Sequence, residues 1–222
     1  MKISDLVFEN PYLMIMLEHF NVPLLFKDKN VSDFCRDENL DIGIFVLIAN
    51  LYNGFQPSEV VILPSDKLPV LISFLQNSHS YYLKEKIPEI KNILDRILEL
   101  NDTPEVRSAK LFFSEYEKEV EQHLYYEEKT AFPYFASLLH NNADIREKKF
   151  SARIYRRHHS DIETKVTDLK KLFAGYIPLK SNRYLKRNLL FNLLELESDL
   201  NIHSILEEYV LIPSVTNVEK YK

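Results

Sequence analysis

The stretch His123-Leu124-Tyr125-Tyr126-Glu127-Glu128-Lys129-Thr130-Ala131-Phe132-Pro133 sets an imidazole and a carboxylate one helical turn apart on a single helix face. The same arrangement returns at His203-Ser204-Ile205-Leu206-Glu207-Glu208-Tyr209-Val210-Leu211-Ile212-Pro213. In both, Glu follows His at +4 and +5, and Pro follows at +10. Flanking apolar residues recur at helical steps, so His and Glu fall on the face that turns inward. Buried there, they are costly unless they are paired or bind metal. A fold for this chain has to answer that cost twice.

The surroundings are helical in character. Only Gly43, Gly54 and Gly175 are present in 222 residues, which argues against tight hairpins and against a glycine-rich phosphate loop. With 45% hydrophobic residues, the chain can bury one large domain or a domain plus a small appendage. The single Cys35 excludes an internal disulfide and a cysteine-based zinc knuckle. There is no basic-then-apolar leader and no apolar run near the length of a membrane span, so the expectation is a cytoplasmic protein without a membrane partner. The net charge of −5 disfavours nucleic acid as a partner.

Residues 1–60 read as a small N-terminal helical domain. Its expected helices are Pro11 to Phe20, Asp33 to Asn39 capped by Ser32, and an apolar one from Ile42 to Leu51. Residues 64–215 read as the main domain, with four long helices. The first starts at Ser65 as cap and runs to about Leu100, burying Leu71, Leu75, Leu83, Ile87, Ile90, Leu94 and Ile97. Pro88 should kink or locally unwind it. The second runs from Pro104, capped by Thr103, to about Leu139, on a stripe of Phe112, Tyr116, Val120, His123, Glu127 and Tyr134. The third covers roughly Arg146 to Gly175, with Tyr155, Ile162, Val166, Leu169 and Phe173 inward. The fourth spans about Asn182 to Pro213, on Leu189, Leu193, Leu196, Leu200, His203, Glu207 and Val210. Short connections predict an all-α fold, an antiparallel up-down four-helix bundle. The cations Arg146, Lys148, Lys149, Arg153, Arg156 and Arg157 are expected to pair with acids of the second helix such as Glu115, Glu119 and Glu121; a docking patch is the alternative.

The spacing extends beyond the two stretches. His79 and His159 are 80 residues apart, as are His123 and His203, Glu127 and Glu207, and Pro133 and Pro213. This has the form of two copies of a helical hairpin. Each supplies one histidine from its first helix and a His-x-x-x-Glu pair from its second. Four histidines and two carboxylates suit two metal ions, since a carboxylate can bridge with its two oxygens. Mixed imidazole and carboxylate ligation fits iron or manganese, and zinc is not excluded by ligand type.

The bland alternatives are specific. His79 alone is more often a hydrogen-bonded core or surface histidine. His158 and His159 compete for one position, and the seam with Val166 and Phe173 together with the spacing from His79 selects His159. Glu128 and Glu208 sit one position off the seam and read as surface charge, or else as acceptors for ligand imidazoles. His19 and His140 break the repeat and read as structural or exposed. Tyr82, Tyr125, Tyr126 and Tyr155 are within reach of the centre, but tyrosine stripes more often pack a core, and no role falls to them.

With Phe132-Pro133 and Ile212-Pro213 added, these His-x-x-x-Glu-Glu motifs resemble the hemerythrin-like, HHE cation-binding domain family, over about residues 64–215. Within it the chain is most similar to the di-iron repair-of-iron-centres proteins; His79 followed by Tyr82 and Ile87-Pro88 supports this. The resemblance implies that His79, His123, Glu127, His159, His203 and Glu207 hold a non-haem di-iron centre with the two glutamates bridging. It also implies oxygen or nitric oxide as ligand, and a role in iron–sulfur cluster repair or in sensing under oxidative or nitrosative stress. The chain departs from that branch at Phe20-Asn21-Val22-Pro23-Leu24-Leu25-Phe26, where the repair proteins carry an adjacent cysteine pair and this chain has none. A thiol-dependent step through that region therefore lacks its residues. The competing function is a metal-dependent sensor or regulatory module, in which residues 1–60 and the basic run contact a protein partner.

Overall fold

Helix is the regular element throughout the described residues, and the only bridge of β type is an isolated one between Lys2 and Asn30. The computed structural model describes residues 1–139, 150–158, 163–177 and 182–221. The fold is an all-α helical bundle. In chain order, α1 is Ile3–Glu9, α2 Leu13–His19, α3 Val31–Asp37, α4 Ile42–Tyr52, α5 Leu68–Tyr81 and α6 Ile87–Leu100. Then come α7 Pro104–Tyr126, α8 Phe132–Leu139, α9 Ala152–His158, α10 Glu163–Gly175, α11 Arg183–Leu206 and α12 Ile212–Lys220.

Three of these junctions are not breaks. Single π-turns at Tyr82–Lys86, Glu127–Ala131 and Glu207–Leu211 join α5 to α6, α7 to α8 and α11 to α12. Each ends two residues before a proline: Pro88, Pro133 and Pro213. The cause is local. Proline brings no N–H and its ring collides with the carbonyl four residues back. Widening the preceding turn relieves the collision, so the Ile87 N–H bonds Tyr82 O and the Ile212 N–H bonds Glu207 O, each five residues back.

The π-turns correct the predicted seams. Past Glu127 the buried stripe passes through Phe135 rather than Tyr134, because the wide turn inserts one residue into the period. In the first long helix Tyr82 is buried and Leu83 is 36% exposed, so the seam reaches Ile87 by a five-residue step from Tyr82 across the π-turn and not by four from Leu83. On α7 the inward residue is Phe113, not Phe112. The last helix runs through Pro213 to Lys220, since a π-turn accommodates a proline that would otherwise stop it. Local capping also differs. Asn30, not Ser32, caps α3 by accepting from the Asp33 N–H at 2.8 Å. Ser65 opens a short 3-10 turn, Ser65–Lys67, without a side-chain cap bond. The second helix of the N-terminal region is Leu13–His19, shorter than expected.

The described residues divide into two compact units. One comprises Met1–Ser78, Thr130–His158 and Ile202–Lys222. Here Phe20 stacks on Phe45 and leans on Phe74, with centroids 5.7 and 4.9 Å away. His19 is buried edge-on against Phe74, while its backbone carbonyl accepts from Asn77 Nδ2 at 2.8 Å, so this histidine is structural. The extended segment after Pro57 settles a debt left by Pro213. Tyr209 O, four residues before that proline, accepts instead from the Val61 N–H at 2.8 Å. The second unit comprises His79–Lys129 and His159–Asn201. In it Lys86 is buried against Glu195 Oε1 at 2.5 Å and Asn192 Oδ1 at 2.8 Å, and Tyr82 donates to Asp199 Oδ2 at 2.7 Å. No described helix is long and apolar enough to cross a membrane.

Candidate metal centre

The unit containing α7 centres on one carboxylate. Glu127 opens the π-turn and has no exposed surface. Its Oε2 lies 3.2 Å from His79 Nε2, and its Oε1 lies 3.1 Å from His123 Nε2. The two oxygens thus face two different imidazoles, each nearly buried. His79 Nδ1 lies 2.9 Å from Glu128 Oε1. An ionised carboxylate only accepts, so Nδ1 carries a proton. A neutral His79 then presents a lone pair on Nε2 toward a negatively charged oxygen. Only a proton or a cation reconciles such a pair in a dry site. Glu128 therefore anchors the His79 imidazole, and its surface-charge reading is corrected. Its position at +5, off an α-helical seam, is carried toward His79 by the wide turn. Burial, with the charge of Glu127 beside it, pushes the Tyr126 phenol above its ordinary value.

The other unit repeats the motif with different supports. Glu207 opens its own π-turn, is fully buried, and has Oε1 3.4 Å from His203 Nε2. His203 Nδ1 lies 2.9 Å from Ser78 Oγ. Ser78 gives its single proton to Leu75 O at 2.7 Å, so it accepts from His203 Nδ1. That leaves His203 Nε2 with its lone pair on the Glu207 side, the tautomer a metal ligand needs. The Tyr155 hydroxyl donates to the same Glu207 Oε1. Glu208 pairs with Arg156 at 3.0 Å, and among the acids of α7 Glu119 pairs with Lys165.

His79, His123, Glu127, His203 and Glu207 are the described residues that fall in groups able to hold a metal ion, and Glu127 belongs to two such groups. His159 lies outside the described residues, as does His140. The donor set fits a divalent cation: imidazole nitrogens with fixed tautomers around buried carboxylates. The sequence reading missed Ser78 and Tyr155 as supports, and held Glu128 as one only as the alternative to surface charge. Ser78 adjoins a ligand candidate, and Tyr155 precedes His159 by four residues in the sequence; these were the available signals.

A family model for the hemerythrin HHE cation binding domain matches residues 74–215. The chain belongs to this family. No curated protein matches it. The hemerythrin HHE match covers all six candidate ligands and all three π-turns, and it accords with a chain whose His and Glu groups are positioned for a cation.

Proposed function

We propose that this hemerythrin HHE chain holds two iron ions through His79, His123, Glu127, His159, His203 and Glu207, with Glu127 and Glu207 bridging. We further propose that it binds or reacts with oxygen or nitric oxide, in a stress response or in iron–sulfur cluster repair. The observation that carries this reading is Glu127, a fully buried carboxylate whose two oxygens each face a separate imidazole nitrogen at 3.1–3.2 Å. One oxygen per centre is the geometry a bridge requires. The 80-residue repeat supports the matching role of Glu207 and brings in His159 as the counterpart of His79. Such a centre, when bound, supplies redox-active sites at which a diatomic can coordinate. The chain's own part is to fix the imidazole tautomers through Glu128 and Ser78, to keep the carboxylates out of water, and to exclude larger ligands by burial. Manganese or zinc would satisfy the same donors.

The test is metal analysis of protein purified without chelators. It is followed by anaerobic loading with ferrous iron and exposure to nitric oxide or oxygen under absorption spectroscopy. Two irons per chain and a visible spectral change are expected. Metal bound without any spectral response would refute the diatomic role, and protein that takes up no metal would refute the centre.

A second reading, a metal-dependent regulatory module, is favoured by the N-terminal surface. A groove of about 590 Å3 there is lined by Met1, Leu6, Val31, Ile42, Val46 and Ala49, and Phe8 and Phe55 are 76% and 69% exposed. Apolar surface of that kind marks contact with another protein. Partner capture that differs between metal-free and metal-loaded protein would support it, and identical capture would count against it.

A further inference from the structure

We propose that the extended segment 57–64 is a strap that holds the π-turn of Glu207, with Ser214 as its clip, so that closure of the strap and metal binding at Glu207 are coupled; this rests on Glu207 being a metal ligand, as read above. The segment is the chain's path from α4 to α5. The Val61 N–H donates to Tyr209 O at 2.8 Å, inside the π-turn Glu207–Leu211 and two residues from the carboxylate. The Leu63 N–H donates to Ser214 Oγ at 2.8 Å, and that hydroxyl donates in turn to Val61 O at 3.4 Å. Extended chain turns the N–H groups of residues two apart to the same edge, so Val61 and Leu63 both reach the helix. Ser214 has no exposed surface and directly follows Pro213.

The segment itself buries little. From Asn53 to Lys67 no residue is buried, and Val60 and Ile62 are 55% and 53% exposed. A stretch with so little buried surface opens locally at far lower cost than a packed helix, which gives the strap a closed and an open form. Opening withdraws the Val61 N–H from Tyr209 O, at a place where Pro213 has no N–H to offer instead. The turn that presents Glu207 then loses its outside hold. A cation that needs Glu207 at its closed position favours the closed strap, and by reciprocity the closed strap tightens the cation. Because the same backbone continues into α1–α4, a protein that takes hold of residues 1–60 acts on the metal centre through this strap.

Two readouts on the full chain test this. Metal-free protein is titrated anaerobically with Co2+ against a chromophoric chelator, and backbone hydrogen exchange is followed by mass spectrometry with and without Co2+. In the wild type, Co2+ slows exchange in 57–64 about tenfold, within the usual range of coupling between two sites, and beyond any slowing in α1–α3. Ser214→Ala deletes the clip, and Val61→Pro deletes the N–H from the strap side without touching the core. Each removes that slowing and weakens Co2+ binding about tenfold. Thr216→Val deletes a hydroxyl of α12 that bonds Ile212 O at 2.7 Å instead, and leaves both readouts at wild type. The proposal is overturned if exchange in 57–64 is the same with and without Co2+, if either folded strap variant binds Co2+ as tightly as wild type, or if Thr216→Val weakens it equally. A wild type that binds no Co2+ overturns the reading of Glu207 as a ligand, a separate and prior outcome.

Discussion

Glu127→Gln tests the centre most directly. The substitution keeps shape and volume, and it removes one negative charge from a side chain with no exposed surface. Two explanations of this carboxylate make opposite statements about the metal-free protein. If Glu127 exists to pair with protonated histidines at 3.1 and 3.2 Å, its loss breaks a buried ion pair. That costs about 3–5 kcal/mol whether or not metal is present. If it exists to hold cations, the metal-free protein is relieved of a buried charge and changes by no more than about 1 kcal/mol, since the amide can still donate to imidazole. The loss then appears only with metal. A ligand present at 100 to 1,000 times its Kd stabilises by about 2.7–4.1 kcal/mol. For a chain of this size each kcal/mol moves Tm by about 2–4 °C, so the wild type should gain roughly 5–16 °C on loading. Glu127→Gln should gain little. The assay is a pair of thermal melts, chelated and iron-loaded, with metal content measured on the same samples. Two bound metals at wild-type affinity in Glu127→Gln would refute the bridging assignment. An equal loss with and without metal would refute the metal explanation of this residue.

Other outcomes follow from single contacts. Val61→Pro removes the N–H that satisfies Tyr209 O, and should cost about 1–3 kcal/mol in urea unfolding while leaving α12 helical; an unchanged midpoint would show the bond to be dispensable. Burial, and then the nearby Asp41 charge, push the Cys35 thiol up to about 11, so iodoacetamide at pH 8 should modify it only in denaturant. Rapid labelling of folded protein would contradict its burial. The hydrogen bond from Lys67, and then the Ile44 N–H, hold the Asp41 carboxyl below its ordinary value of 3.8. A lowered folded value means the contribution is complete above that ordinary value and lost as pH falls through the lower one. Asp41→Ala should therefore cost about 1 kcal/mol at pH 7, with the gap to wild type constant down to about pH 4 and closing below; a gap that widened on acidification would refute the sign.

Much of this fold is written in helical period and caps. Leu189, Leu193, Leu196, Leu200, His203, Glu207 and Val210 all proved buried, because α11 is uninterrupted and a 3.6-residue count holds along it as far as its π-turn. Thr103 caps α7, with Pro104 at its first position, for the reasons its residue types suggest. Candidate ligands were legible because histidine and glutamate on such a seam are expensive, and a repeat made their recurrence countable. Their supports were harder to read. Ser78 acts on His203 and Tyr155 on Glu207 across gaps of 125 and 52 residues, which no local pattern records.

The seam errors at Tyr134 and Leu83 have one cause, and it ties the prolines to the chemistry. A straight helix would carry the stripe from Glu127 by seven residues to Tyr134; the wide turn adds one and buries Phe135. That turn is forced by Pro133, as its equivalents are by Pro88 and Pro213. The position of each proline relative to its histidine therefore sets where the backbone widens. At Pro133 and Pro213 it widens at the very residue that offers the carboxylate, Glu127 and Glu207. The α-helical spacing of four is kept up to each glutamate, which holds His and Glu on one face, and is abandoned just beyond it. There Glu128 swings to His79 Nδ1 and Tyr209 turns its carbonyl to Val61. The +10 proline is thus more than a helix stop in these motifs. At Pro133 it is the residue that lets the candidate ligand Glu127 and the support of His79, Glu128, come from adjacent positions in the chain.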